Sequence, residues 1–318
     1  MTTLQTTVPV PSIRRKHLFR KMLRQRYLYL MLAPAFITVL IFSYIPLSGW
    51  YMAFSSYKPG QSIFKAPWVG LYQFKSFLVD SSDALNIIRN TLVMNVSTMV
   101  VGLLTAFLFA ILLKELRIAL MSKFVQTVTF FPYFMSWVIL YALIYAMFAT
   151  GSGAINETLI QMGVIKDGIN LLGDKAYSWL LILCVNTWNF LGYNSVVFIA
   201  AIAGISSEQY EAAEIDGAGR LGKVLYITIP NMMPTLIVLL IMNSGWLFNS
   251  SLDQYFLFTN PTNRETMEVF DMYIYRYGMK LLNYSYATAV GILKTAVSIL
   301  LLVAVNGLSR KYSEKSIF

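Results

Sequence analysis

Long apolar stretches alternate along the chain with shorter polar ones, and each apolar stretch is long enough to be a helix in its own right. Six of them occupy residues 28–54, 91–113, 124–148, 177–205, 235–252 and 286–308. An α-helix rises 1.5 Å per residue, so about 20 apolar residues cross the ~30 Å hydrocarbon layer of a bilayer. The pattern predicts an all-α integral membrane protein with six transmembrane helices. Pro132, early in the third stretch, predicts a kink that serves either a conformational change or packing.

Composition agrees. The chain is 57% hydrophobic and 13% charged, whereas soluble domains carry about 25% charged residues. Cys184 is the only cysteine and His17 the only histidine. That excludes a disulfide framework and a thiolate metal cluster. No Asp or Glu lies within the six stretches. An ion-coupled secondary transporter and a membrane-embedded enzyme both lack the groups they need, so no catalytic or metal-binding residue is assigned. Cys184 reads as a small apolar packer.

The net charge of +10 is a statement about topology. Residues 1–27, 114–123, 206–234 and 309–318 fall on one side of the alternation and hold 15 Lys+Arg against 6 Asp+Glu. Residues 55–90, 149–176 and 253–285 hold 9 of each, and Lys294 lies within the sixth stretch. The positive-inside rule makes the first set cytoplasmic, with both termini. Nucleic-acid binding is not needed to explain the charge. The expected organisation is a basic cytoplasmic tail over residues 1–27, a membrane domain over residues 28–308 and a cytoplasmic tail over residues 309–318. The apolar run from Leu28 is about twice the 7–15 residues of a signal peptide, so the first helix is expected to remain uncleaved. The tail ahead of it either lies on anionic lipid or is solvated.

The cytoplasmic loop of residues 206–234 carries the most specific pattern. Ser206 can cap a helix, with Gln209 three residues on completing a capping box. Glu208, Glu211 and Glu214 share one face. Gly217 and Gly219 permit backbone angles that other residues resist, predicting two short helices with a turn between them. Arg220 to Ile227 makes the second helix, and Pro230 and Pro234 end it and start the fifth span. Gly217-x-Gly219-x-x-Gly222 mimics a dinucleotide fingerprint, but an acidic helical run precedes it instead of a strand. Gly217-x4-Gly222-Lys223 mimics a phosphate loop, but Val224 stands where Ser or Thr must hold magnesium.

The same loop reads Glu211-Ala212-Ala213, three residues, Gly217, nine residues, Ile227-x-Ile229-Pro230. It resembles the signature EAA-x3-G-x9-I-x-L-P of ABC-importer permeases, departing only in Ile229 for Leu. Asp216 and Ala218 agree with the DGA often found there. The resemblance implies the type I permease fold in a bacterial cytoplasmic (inner) membrane. It implies ATPase-coupling roles for Glu211, Ala212, Ala213, Asp216, Gly217, Ala218, Ile227 and Pro230. The loop would insert into a cleft of a separate ATPase, with Glu211 anchoring by charge and Gly217 making the turn. Expected partners are a second, non-identical permease subunit, two ATP-binding subunits, an extracytoplasmic solute-binding protein and membrane lipid. ATP and magnesium belong to the ATPase, and no cofactor is expected in this chain.

WVGLYQF (68–74), RNTL (89–92) and SYATAVGILKTAVSILLLVAVNGLSRK (285–311) are similar to the sugar-type branch. The openings near residues 25–35 and 44–47 resemble its oligosaccharide importers, including those for alginate and pectin fragments. Polar groups inside spans face a bundle interior. Asn186, Asn189 and Tyr193 lie near one helical stripe of the fourth span, with Asn194 beside it. Asn243, Trp246 and Asn249 do the same in the fifth. Amides and aromatics suit a sugar, through hydrogen bonds to hydroxyls and a flat face against ring C–H groups. They equally serve as glue between helices. Lys294 meets either an anionic substrate or a carboxylate or carbonyls of the bundle. The outward loops, with Tyr273, Tyr275 and Tyr277, either receive the binding protein or anchor at the interface.

Overall fold

A computed structural model describes residues 24–313, with side chains described up to residue 307. The basic run around His17 and the last five residues lie outside the described residues. The helices are α1 (Arg26–Val39), α2 (Tyr72–Leu78), α3 (Ala84–Glu115), α4 (Ala119–Phe130), α5 (Trp137–Phe148), α6 (Ala154–Gln161) and α7 (Ser178–Ala203). They continue as α8 (Ser207–Ile215), α9 (Arg220–Lys223), α10 (Ile229–Ser244), α11 (Leu252–Phe258), α12 (Arg264–Met267), α13 (Phe270–Tyr275) and α14 (Tyr284–Ser313). No strand forms among the described residues. Five helical runs are long and apolar enough to cross a membrane, and a bent pair makes a sixth.

The chain divides into two units, Met1–Tyr51 and Met52–Phe318. In the first, α1 passes into a π turn at Leu40–Tyr44 and a 3₁₀ stretch from Ile45. No side chain from Arg26 to Tyr44 is buried.

In the second unit α3, α7 and α10 pack through Phe107, Ala110, Phe198, Ile202, Met232 and Leu236. The Phe107 and Phe198 rings meet edge to face at 5.5 Å, a favoured aromatic geometry. Small residues let helices approach where apolar lipid supplies no driving force between them. Gly192 of α7 is such a point, because a Cβ there would lie 2.5 Å from the Phe130 Cα.

Three expectations change. The third span is broken, not kinked: Ala119–Phe134 and Trp137–Phe148 meet at 104°. The break falls after Pro132, where Met135 and Ser136 are extended and the Ser136 hydroxyl accepts the Ile139 N–H at 3.4 Å. The Asn189 amide donates to the Pro132 carbonyl at 2.6 Å, adding to the Met135 N–H that this carbonyl accepts at 3.0 Å and tying the break to α7.

The fifth span begins at Arg220, well before residue 235, and neither proline stops it. A π turn at Val224–Thr228 sits just ahead of Pro230. It widens the coil where the proline ring would otherwise strike the carbonyl four residues back. The π turn at Leu40–Tyr44 precedes Pro46 with the same spacing. At its other end the fifth span stops at Ser244 and unwinds over residues 245–251.

Residues 253–285 are not a surface loop. Helices α11 to α13 fold back into the protein, and Val269, Phe270 and Tyr273 are buried. Tyr273 shares a 2.8 Å hydroxyl hydrogen bond with Tyr286 and packs on Phe77 and Tyr277. It is a core residue, with neither an interfacial nor a receptor role.

Candidate functional site

Two places bring the chemistry-bearing residues together. The first is the loop between α7 and α10. The Ser206 hydroxyl accepts the Glu208 N–H at 3.2 Å and caps α8. The capping box does not close, because the Gln209 side chain instead accepts the Asn231 amide at 3.1 Å. α8 ends at Ile215, and Gly217 just beyond it has a φ of +80° in the left-handed region. The Ala218 N–H then reaches the Ala213 carbonyl at 2.8 Å, closing the turn that glycine after a helix favours. Gly219 has φ −71° and needs no such freedom.

Side chains lock this loop to the spans. Arg220 donates to the Glu115 carbonyl at 2.7 Å and pairs with its carboxylate at 3.0 Å. The Tyr210 hydroxyl meets Thr228 at 2.9 Å, and Lys114 lies over the Tyr210 ring. Lys223 pairs with Glu214 at 2.9 Å, and its hydrogen bond and charge hold that carboxyl below its ordinary range. Glu211 is exposed and has no ion-pair partner among the described residues. Ile215, Leu221 and Tyr226 of the same loop stand 88%, 77% and 81% exposed. A loop that carries both a free carboxylate and large exposed apolar groups has the character of a protein-contact surface.

The second place is a cavity of ≈380 Å³ between α3, α5, α7 and the unwound end of α10. Asn186, Tyr193, Asn194, Asn243, Trp246 and Asn249 all line it. The residues after Ser244 reach it because the chain unwinds there, so no helical stripe aligns Asn243, Trp246 and Asn249. Asn186 and Asn243 donate to carbonyls of their own helices, Ile182 at 3.2 Å and Leu239 at 2.8 Å. Tyr193 stacks on Tyr133 at 4.3 Å.

Asn189 and Lys294 are not in this lining. Asn189 holds the break in the third span, and Lys294 pairs with Asp271 of α13. The wall also contains residues that the stripe argument missed, among them Asn95, Thr98, Trp137, Thr187 and Gln254. Asn95 and Thr98 were visible as polar interruptions of an apolar span. Gln254 was hidden in what read as a loop. No charged side chain lines the cavity among the described residues. The Thr187 hydroxyl and the Gln254 amide nitrogen are buried without a hydrogen-bond partner among them.

Residues 98–314 match the family described as binding-protein-dependent transport system inner membrane component. The polygalacturonan/rhamnogalacturonan transport system permease protein YteP of Bacillus subtilis is 38% identical over 305 residues, covering 96% of this chain and 94% of the relative. A crystal structure of a bacterial ABC transporter involved in the import of the acidic polysaccharide alginate has a chain that matches with a TM-score of 0.85. That match is 31% identical and covers 93% of this chain and 99% of the other. A second structure, of a bacterial alginate ABC transporter with its alginate pentasaccharide-bound periplasmic protein, matches with a TM-score of 0.85 at 30% identity. It covers 95% and 100% of the two chains.

Proposed function

We infer the function from one premise: the chain belongs to the family of binding-protein-dependent transport system inner membrane components. It has the type I ABC-importer permease fold, is a multi-pass protein of the bacterial inner membrane, and is a transport subunit, not an enzyme.

We propose that it forms one wall of the path for an oligosaccharide. The observation that carries this is the cavity, lined by amides, hydroxyls and aromatics with no charged side chain. Such a lining exchanges hydrogen bonds with sugar hydroxyls and stacks on ring C–H faces. The relatives named for polygalacturonan/rhamnogalacturonan and for alginate support a saccharide cargo. The uncharged wall makes this chain a reader of hydroxyls, leaving any carboxylate on the cargo to the facing subunit.

We propose further that the loop of residues 206–234 lies in the cytoplasm and docks on a separate ATPase through Glu211. Its force passes to α3 through the Arg220 contacts with Glu115 and to α10 through the unbroken helix that starts at Arg220. The charge asymmetry between the two sets of loops supports this orientation. The remaining members would be a second, non-identical permease, two ATP-binding subunits and an extracytoplasmic binding protein, with ATP and magnesium held by the ATPase.

The test is co-purification with the co-expressed ATPase, followed by ATP-dependent uptake of defined oligosaccharides. Glu211→Lys should abolish both. A Glu211→Lys protein that assembles and drives uptake at the native rate would overturn the docking assignment. Uptake of amino acids but no saccharide by the native complex would overturn the cargo.

A further inference from the structure

The cavity wall from residue 245 to 251 has little regular structure of its own, because α10 ends at Ser244 and α11, which carries Gln254, begins at Leu252. Unwound backbone at membrane depth must satisfy its N–H and C=O groups from elsewhere. Here two neighbours supply them. The Asn95 amide of α3 donates to the Leu247 carbonyl at 2.7 Å and to the Ser250 hydroxyl at 3.1 Å. The Asp271 carboxylate of α13 accepts the Ser250 N–H at 2.8 Å through one oxygen and Lys294 of α14 through the other. The lysine and carboxylate side chains are 11% and 23% exposed, so solvent screens the pair only weakly. Four residues after Ser250, Gln254 is 2% exposed with its amide nitrogen unpartnered. A buried donor without an acceptor is costly in an empty site and is satisfied when an acceptor arrives.

We propose that Gln254 is a cargo-reading donor that bonds a sugar oxygen, and that Asp271 and Lys294 are positioning residues that hold the unwound wall leading into its helix. The ion pair touches no cargo. It acts through the Ser250 backbone, fixing the register in which residues 249–254 face the cavity. This rests on the oligosaccharide reading for its transport measurements; the cysteine measurement below does not.

The experiment uses the full complex with Cys184→Ser as background. Uptake is measured for a galacturonate trisaccharide, an alginate trisaccharide and neutral maltotriose, with thermal stability measured in parallel. Gln254→Leu removes the unpartnered donor. It should lower uptake of the transported sugar about tenfold while leaving the unfolding temperature unchanged or higher. A purely structural glutamine would lower both together. In the Ser251→Cys protein, adding Lys294→Met or Asp271→Asn should raise the maleimide reactivity of the cysteine at least about threefold and lower uptake. Lys294→Arg should restore both. The Asp271→Asn/Lys294→Met double variant should lose less than the product of the two single losses. If Lys294→Met does not assemble, Asp271→Asn carries the same expectation, since an amide offers one acceptor oxygen and no charge, and so cannot hold both the Ser250 N–H and Lys294 as the carboxylate does. Native uptake in Gln254→Leu would overturn the reading role, and unchanged cysteine reactivity in Asp271→Asn would overturn the positioning role. Absence of uptake of all three sugars by the native complex would fail the cargo reading, while the cysteine reactivity still decides the pair.

Discussion

The loop at residues 206–234 and the cavity wall at residues 245–251 both interrupt the long helices, yet they are built in opposite ways. The loop is made by local rules. Ser206 caps a helix, Gly217 ends it in a left-handed turn, and a π turn carries the next helix past Pro230. Its large apolar side chains are exposed, as suits a surface awaiting a partner. The cavity wall has no such local logic. Ser250 is held by Asn95, 155 residues earlier, and by Asp271, which answers to Lys294. A motif specifies the shape of the first region because its cap and turn contacts are a few residues apart, although Arg220 and Tyr210 also tie it to α3. Distant elements that meet only in the folded protein specify the second.

Substitutions can break this contrast, and the largest effect belongs to helix approach. Gly192→Val places a side chain against the Phe130 backbone, where a Cβ already lies at 2.5 Å. It should cost about 3 kcal/mol of stability, read as a lower thermal midpoint of the detergent-solubilised complex. Asn95→Leu should come next, at about 2 kcal/mol, because it strips the Leu247 carbonyl and Ser250 of a donor at once. Its loss should be accompanied by altered uptake, since the same bonds shape the cavity.

Gly217→Ala meets no atom within 4 Å, so only its φ of +80° opposes it. It should cost about 1 kcal/mol, appear as weaker ATPase retention, and leave the reactivity of a cysteine at position 251 untouched. If it alters that reactivity, the two regions are not independent. The smallest effect is expected at the exposed Glu214–Lys223 pair. The Glu214 carboxyl is held below its ordinary range, so its contribution is present above the usual carboxylate pKa and is lost as pH falls through the lowered value. Glu214→Gln should therefore lower the midpoint slightly at neutral pH and match the native protein in acid, with a difference that vanishes in high salt.

Much of the fold was legible before any coordinates. A span is announced by ~20 apolar residues, so the number of crossings and their approximate places followed from a linear pattern. The break in the third span was read only as a kink. Pro132 marks the place, but the right angle also needs the Ser136 cap, the Asn189 amide and the gap at Gly192. Proline's usual meaning puts the start of the fifth span at residue 235, whereas a π turn ahead of Pro230 lets the helix run on from Arg220. In the cavity, Asn186, Tyr193, Asn194, Asn243, Trp246 and Asn249 were visible as polar residues in apolar spans. Gln254 and Asp271 were not, because residues 253–285 look like a loop and only the packed fold turns them inward.

The one-dimensional order of apolar and charged residues set the membrane class, the helix count and the place of the signature loop. Those depend on desolvation and on local backbone geometry, and both are properties of neighbours along the chain. Which amide faces the cavity and which merely ties a helix, and whether Lys294 meets cargo or carboxylate, depended on contacts between residues far apart in sequence. Only the packed helices bring Asp271 to Lys294 and to the Ser250 N–H, and so turn an isolated charge into a support for the wall.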